Sequence, residues 1–221
     1  MNNLPLSELA GYLQTAFLET FLMCGLSLVM SVILGTIFGL LIYATRSGVF
    51  WENRILNIIS GVFINIIRSI PFVILLVLLL PLTKRIVGTS IGPLAACVSL
   101  TVASFAYFAR LVESALCSVE KGVIEAARAF GANNYDIIRS VLLPEALPGI
   151  LRGVTILAIG LLGNSANAGM IGGGGIGDLA VRFGYYRYQT DIMVITVVLL
   201  IVLVQIIQII GDRIAARVEK N

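Results

Sequence analysis

The sequence predicts an all-α fold, a polytopic membrane bundle of about five transmembrane helices that forms a single domain over residues 1–221. The first observation is composition: 58% of the 221 residues are hydrophobic and only 12% are charged. A soluble domain carries about twice that charged fraction. The second observation is that the chain divides into long apolar runs, each near the roughly 20 residues that cross a bilayer core. A mean hydropathy of +1.01 agrees with a chain surrounded by lipid.

The five predicted spans are residues 16–45, 57–82, 87–113, 150–172 and 191–211. In the first span, Gly35 and Gly39 have the GxxxG spacing that permits close helix approach, although among 22 glycines this spacing also arises by chance. In the second span, Pro71 removes a backbone donor and predicts a kink. The same span carries Arg68, a charge that must face protein or water, or extend to a headgroup.

The positions of the basic residues predict the orientation. If the polar loop of residues 118–148 is cytoplasmic, ten of the fifteen Lys and Arg residues lie inside, four lie outside and Arg68 is unassigned. Because positive charge accumulates on the cytoplasmic side, this count places the N-terminus outside and the C-terminus inside. No Lys or Arg precedes Arg46, so a cleavable signal peptide is not indicated.

Composition also excludes most kinds of metal-binding and catalytic site. The chain has no His, and its three Cys residues lie in apolar runs, so we expect no metal site, no bound cofactor and no catalytic residues. Gly172, Gly174 and Gly177 fit GxGxxG, but no strand precedes them and no Gly-Lys-Ser/Thr follows. The chain is therefore neither a dinucleotide-binding fold nor itself an ATPase, and no nucleic-acid partner is expected. The glycine-rich exit from the fourth span is instead interpreted as part of an outer gate, formed by Gly173, Gly174, Gly175, Gly177 and Asp178.

The polar loop has the pattern of two short helices. Val123, Ala126, Ala127 and Phe130 share one face of the first helix, and Lys121, Glu125 and Arg128 decorate the other. Gly131 tolerates the positive φ of a sharp exit. Asn133 is then predicted to cap the second helix, with Asp136 at its third position. Its apolar face comprises Tyr135, Ile138, Val141 and Leu142, and Pro144 is expected to end it.

The spacing in this loop resembles the EAA loop of ATP-binding-cassette importer permeases, which reads EAA, three residues, Gly, nine residues, Ile, one residue, Leu-Pro. Here the matching residues are Glu125, Ala126, Ala127, Gly131, Val141, Leu143 and Pro144, with Val141 in place of Ile. The resemblance implies a cytoplasmic coupling helix on a type I importer permease fold. It also implies that the loop docks onto a cytoplasmic ATPase subunit through Glu125, Ala126, Ala127, Arg128, Gly131, Ala132, Leu143 and Pro144.

Other stretches resemble the methionine-type permeases of this class. They are IRSIPF in the second span, VGTSIG at residues 87–92, VLLPEALPGI, and GGGGIGDLAVRFGY. This resemblance implies a homodimer in the bacterial inner membrane, joined by two ATPase subunits that carry ATP and Mg and by an extracytoplasmic binding protein, often a lipoprotein. The transported solute would be an amino acid, most simply L- or D-methionine.

The fourth span leaves the substrate open, because it reads GNSAN where methionine permeases commonly read GYSAM. Asn164 and Asn167 share a helix face and, with Ser165 and Arg68, are the candidates for the substrate pathway. Two amides favour a more polar amino acid or another small solute, unless they bond across a dimer or line a wet cavity without selecting substrate. An alternative of a different class is a membrane scaffold or channel without a motor.

Overall fold

The computed structural model describes residues 6–219, and every regular element within that range is helical. The helices are α1 Leu6–Ala44, α2 Arg54–Ser69, α3 Phe72–Val87, α4 Pro93–Cys117, α5 Lys121–Ala129, α6 Asn134–Ile137, α7 Leu143–Ala168, α8 Gly175–Leu179 and α9 Thr190–Glu219. π-Helical turns occupy Ile138–Leu142 and Ala180–Tyr185, and the segment Gly169–Gly173 is kinked at Ile171 and Gly172, whose backbone angles are not helical. The predicted all-α class is therefore confirmed.

Four continuous helical stretches of the described chain are long and apolar enough to cross a bilayer. They are Glu8–Ala44, Pro93–Cys117, Asn134–Gly173 and Thr190–Glu219. The predicted second span is a bent pair instead, because α2 and α3 meet at an angle of 108°. Pro71 lies at this break and holds Ile70 in an extended conformation (φ −86°, ψ 123°), as expected for the residue before a proline. Counting the bent pair once gives the predicted five spans.

Helices α1 and α4 pack closely at the GxxxG glycines. A Cβ atom on Gly39 would lie 2.7 Å from both the Ala109 carbonyl oxygen and Val112 Cβ, and one on Gly35 would lie 2.8 Å from Phe108 Cδ1. The spacing is therefore neither a coincidence nor a contact that needs a second copy, since it fits α1 against α4 of the same chain. Leucines of α7, such as Leu157 and Leu161, complete the core around them.

The helix that carries the fourth span begins earlier than predicted. It runs without interruption from Asn134, through the π-helical turn Ile138–Leu142, into α7. Pro144 does not end a helix, contrary to the sequence prediction, because it occupies the first turn of α7, directly after the π-turn. A proline removes only one backbone donor, and a shift to π-type hydrogen bonding allows the helix to continue past it.

The chain after the fourth span folds back on the bundle. This part of the chain forms α8 and the π-helical turn Ala180–Tyr185. Ile176, Leu179 and Phe183 are buried against Ala16 of α1 and Ile192 of α9. This packing was not predicted, because the apolar residues are separated by polar ones and the segment is too short to stand out as a span.

Candidate functional site

The polar loop of residues 118–148, which we call the coupling loop, has the two-helix form that the sequence predicts. Helix α5 ends at Ala129, and Gly131 turns the chain with φ +83°. Asn133 Oδ1 then accepts a hydrogen bond from the Asp136 backbone N–H at 3.0 Å, which confirms the predicted N-cap of α6. Because Gly131 and Asn133 both form their hydrogen bonds within the loop, the loop has a defined shape without a partner.

The apolar face predicted for α5 is divided between the protein and solvent. Ala127 and Ile124 pack against the core, and the sequence prediction missed Ile124. Val123 and Ala126 are exposed, and Phe130 is 91% exposed at the end of the helix. A large aromatic side chain held in water on a short, ordered helix is typical of a surface that meets another protein.

The charged residues of α5 lie beside this exposed apolar surface. Glu125, Lys121 and Arg128 are all exposed, and they line an open cavity of about 640 Å³. The opposite wall of the cavity is the loop after α1, which contributes Arg46 and Phe50. The arrangement offers one carboxylate among three cations to a partner in the surrounding water.

The loop after α1 also seats the coupling helices, a role that the sequence did not predict. The Arg128 guanidinium carbon lies 5.5 Å from the centroid of the Phe50 ring, and Asn134 Nδ2 donates to the Phe50 carbonyl oxygen at 2.9 Å. Arg46 Nη1 donates to Cys117 Sγ at 3.1 Å, which joins the same loop to the end of α4. The coupling loop is thereby fixed to both α1 and α4.

This seating loop is ordered by its own carboxylate. Glu52 accepts hydrogen bonds from the Gly48 backbone N–H at 3.0 Å and from the Ser47 hydroxyl at 2.9 Å. These two donors, the backbone N–H first, lower the pKa of Glu52 from its ordinary value. The carboxylate therefore holds the turn in its charged form.

The remaining residues of the predicted coupling set lie behind the exposed surface. The backbone N–H of Ala132 donates to the Ala127 carbonyl oxygen at 3.1 Å, which closes the turn at Gly131. Leu143 is partly buried against the core, whereas Pro144 is exposed. Ala132 and Leu143 therefore shape and anchor the loop. Glu125, Ala126 and Arg128 form its exposed surface.

A second concave site lies between α2, α4 and α7. This membrane cleft, as we call it, has a volume of about 600 Å³ and takes its polar lining from Arg68, Ser104, Tyr107 and Asn164. The Arg68 guanidinium carbon lies 5.9 Å from the centroid of the Tyr107 ring. Two of the predicted pathway residues, Arg68 and Asn164, thus share one site, and Tyr107 was missed because a tyrosine in an apolar helix carries no distinctive pattern.

The other two predicted pathway residues do not line the membrane cleft. Ser165 is only 3% exposed, and its hydroxyl donates to the Leu162 carbonyl oxygen of its own helix at 2.7 Å. Asn167 is half-buried and lies outside the cleft lining. The three-residue spacing of Asn164 and Asn167 therefore does not bring both amides into the membrane cleft.

The predicted gate residues are closely packed against α1 and α7. Gly173, Gly175 and Gly177 are buried, and a Cβ atom on Gly177 would overlap with the backbone of Ala166. Gly174 has φ +79°, and a Cβ atom there would lie 2.5 Å from Glu19 Oε2. Glycine is required at these positions because backbone and neighbouring side chains approach so closely.

Two side chains of α1 hold the predicted gate in place. Glu19 Oε2 accepts from the Gly175 backbone N–H at 2.7 Å, and Thr20 Oγ1 accepts from the Ile176 backbone N–H at 2.9 Å. Asp178 pairs with Arg182 at 2.9 Å, one turn further along the chain. Sequence reasoning missed Glu19 and Thr20, whose partners lie 156 residues away along the chain.

The fold and the coupling loop together define an inner-membrane permease. Residues 31–220 match the family of binding-protein-dependent transport system inner membrane components, and the chain belongs to that family. It is a multi-pass inner-membrane protein whose family works in transport and not in catalysis.

Named relatives narrow this class further. The probable D-methionine transport system permease protein MetI of Vibrio cholerae is 49% identical over 94% of this chain and 92% of its own length. The methionine import system permease protein MetP of Bacillus subtilis is 44% identical over 81% of each chain. In the solved inward-facing structure of the MetNI methionine ABC transporter, a chain 43% identical superposes with a TM-score of 0.94 and covers 97% of this chain and 99% of its own. These similarities support the methionine-type resemblance read from the sequence.

Proposed function

We propose that this chain is the translocation subunit of an ATP-driven importer that carries methionine, as the L- or D-isomer, across the inner membrane. Relatives at 44–49% identity are named for methionine transport, and they match most of the chain. The single observation that carries the driving mechanism is the exposed surface of α5, where Glu125 is exposed and Phe130, at the end of the helix, is almost fully in water.

The assembly that we propose has two copies of this chain and two cytoplasmic ATPase subunits, which bind ATP and Mg. An extracytoplasmic binding protein, in many such systems a lipoprotein, delivers the solute. The basic residues support an orientation with the N-terminus outside and the coupling loop and C-terminus in the cytoplasm.

The mechanism converts movement of the ATPase subunits into rotation of the membrane helices. Phe50, in the loop after α1, contacts Arg128 of the coupling loop, and Arg46 of the same loop donates to Cys117 at the end of α4. A pull on α5 therefore acts on α1 and α4 as one body. Interfaces packed as closely as α1 against α4 move as units and do not deform continuously. Closing of the ATPase pair would draw the two coupling loops together and switch the pathway between inward-facing and outward-facing states.

The proposed function is tested by reconstituting the chain with its ATPase and binding protein in liposomes and measuring ATP-driven uptake of radiolabelled methionine. We expect Glu125→Lys to abolish uptake and methionine-stimulated ATP hydrolysis, because it reverses the charge at the docking surface. Glu8→Lys is the matched control, since Glu8 is also an exposed glutamate but lies in the first turn of α1, at the other end of that helix from the loop that contacts α5. Normal uptake and stimulation in the Glu125→Lys complex would contradict the docking function.

A second candidate is a permease for a more polar amino acid. The observation in its favour is that Asn164 places an amide in the membrane cleft. In the same liposomes, uptake of radiolabelled glutamine at a higher rate than methionine would favour this candidate, and a methionine preference would exclude it.

A further inference from the structure

The membrane cleft contains a cation without an anionic partner. The three ion pairs among residues 6–219 use Arg110, Arg152 and Arg182. Arg68 is in none of them; its side chain is exposed, and its guanidinium carbon lies 5.9 Å from the centroid of the Tyr107 ring. By contrast, Arg110, also near α2, pairs with Glu113 at 2.6 Å and donates to the Gly61 carbonyl oxygen and Asn65 Oδ1. Of these two arginines, Arg110 is therefore neutralised by an ion pair, and Arg68 is not.

The position of Arg68 also favours an anionic ligand. Arg68 lies in the last turn of α2, beside the break at Pro71, and its side chain is exposed at the cleft. A charge on an apolar helix of a membrane-spanning pair is costly unless it meets water or an opposite charge. The carbonyl groups at the C-terminal end of α2 offset only part of that cost. The remainder favours binding of an anion from outside the chain.

The cleft also offers neutral polar groups and an apolar wall. Asn164 lines it, and its side-chain amide makes no hydrogen bond to any part of the chain between residues 6 and 219. The wall includes Ile67, Ile70 and Phe72. A volume of about 600 Å³ lies within the roughly 300–1,000 Å³ of small-molecule sites, which combine a mostly apolar lining with a few placed polar groups.

We propose that the membrane cleft is a transient binding site for the carboxylate of the transported amino acid. Arg68 would bind the α-carboxylate through two parallel N–H···O bonds, and the Asn164 amide would donate a further hydrogen bond. The apolar wall would then contact the substrate side chain. This inference rests on the proposed function, because it assigns the site within this chain that the amino acid occupies during transport.

The same anionic chemistry is available from a lipid. A phospholipid phosphate also binds arginine in a bidentate manner, so the experiment must separate the two sources. Purified permease–ATPase complex, without the binding protein, is placed in liposomes of phosphatidylcholine alone or with phosphatidylglycerol. Equilibrium binding of radiolabelled methionine is then measured, with 3-(methylthio)propylamine, which lacks the carboxylate, as a competitor.

We expect Arg68→Gln to weaken methionine binding at least tenfold in both lipid mixtures, and Arg68→Lys to weaken it less because the charge remains. The amine competitor should displace methionine poorly from the wild-type complex. Asn164→Ala should weaken binding about threefold or more, whereas Asn167→Ala, the matched control on the same helix, should change it less than twofold. The asparagine pair and Arg68→Lys decide the result if Arg68→Gln does not assemble.

Three outcomes would overturn the inference. They are binding by Arg68→Gln within twofold of wild type, equal effects of the two asparagine changes, and an Arg68→Gln defect that occurs only with phosphatidylglycerol, which would assign the site to lipid. Failure of the proposed function is distinguishable, because in that case the complete wild-type complex with its binding protein would show no ATP-driven methionine uptake at all.

Discussion

The Arg128 side chain of the coupling helix lies over the ring of Phe50, with the guanidinium carbon 5.5 Å from the ring centroid. Phe50 also accepts a hydrogen bond through its carbonyl oxygen from Asn134 at the start of the second coupling helix. One buried residue in the loop after α1 therefore contacts both short helices. The connection fixes the two short helices to the bundle although α5 has no buried residue of its own.

Asn134→Ala should loosen the coupling loop without unfolding the bundle. A hydrogen bond of this kind contributes about 1 kcal/mol, which corresponds to roughly fivefold faster local opening. We expect amide hydrogen exchange in α5 and α6 to accelerate by about that factor, and ATP hydrolysis to become less dependent on substrate.

The control for this change is Tyr135→Ala, because Tyr135 is the exposed neighbour of Asn134 on the same helix. Equal exchange rates in the Asn134→Ala and wild-type proteins would show that the hydrogen bond to Phe50 does not hold the loop.

Phe130→Ala should weaken binding to the ATPase while leaving the permease as stable as before. The ring is 91% exposed, so its removal leaves no internal cavity. Aromatic residues at the centre of an interface commonly cost 2 kcal/mol or more on truncation, which is roughly a 30-fold loss of affinity. The measurement is the dissociation constant of the purified permease for its ATPase subunit.

Tyr186→Ala provides the comparison for Phe130→Ala, since Tyr186 is an exposed aromatic residue far from the coupling loop in the chain. We expect it to leave the dissociation constant unchanged. If both substitutions, or neither, weakened binding, α5 would not be the specific docking surface.

Gly177→Ala should destabilise the packing of the predicted gate against α7. The added Cβ atom would overlap with backbone atoms of Ala166, which cannot rotate away as a side chain does. Overpacking of this kind costs about 1–3 kcal/mol. Gly163→Ala is the matched control, because no atom lies within 4 Å of its added Cβ atom and alanine favours the helix. We expect thermal denaturation in detergent to show a lower Tm for Gly177→Ala alone, and equal Tm values would contradict the packing.

The sequence predicted those features that depend on local chemistry. Asn133 as a cap, Gly131 as a turn and the break at Pro71 were all predicted, because each follows from the side chain or backbone of one residue. The angle of 108° at that break was not predictable, since it depends on how α2 and α3 pack against the rest of the bundle.

Features that depend on distant partners were missed or misread. Pro144 was expected to end a helix, yet it lies in one, because the preceding π-turn adapts the hydrogen bonding. Asn164 and Asn167 were grouped by spacing, but only the first lines the membrane cleft, whose other walls come from α2 and α4. The contribution of Glu19 and Thr20 to the predicted gate likewise required the folded chain.

Thr20→Val should destabilise the predicted gate, because it removes an acceptor while preserving side-chain shape. Thr20 Oγ1 accepts from the buried Ile176 N–H at 2.9 Å, and valine would leave that donor unpaired. An unpaired buried donor costs about 1–3 kcal/mol, and a value of about 2 kcal/mol lowers Tm by about 4–8 °C in a chain of this size.

The matched control for that change is Thr15→Val, five residues earlier in α1. The Thr15 hydroxyl is exposed and bonds only to the Gly11 carbonyl oxygen of its own helix at 3.1 Å. We therefore expect Thr15→Val to leave Tm within about 2 °C of wild type, because surface changes of this kind alter stability by about 0.5 kcal/mol or less. Limited proteolysis of residues 169–185 should accelerate only in Thr20→Val. Equal Tm and equal cleavage in the two variants would show that the hydrogen bond from Ile176 does not hold this segment against α1.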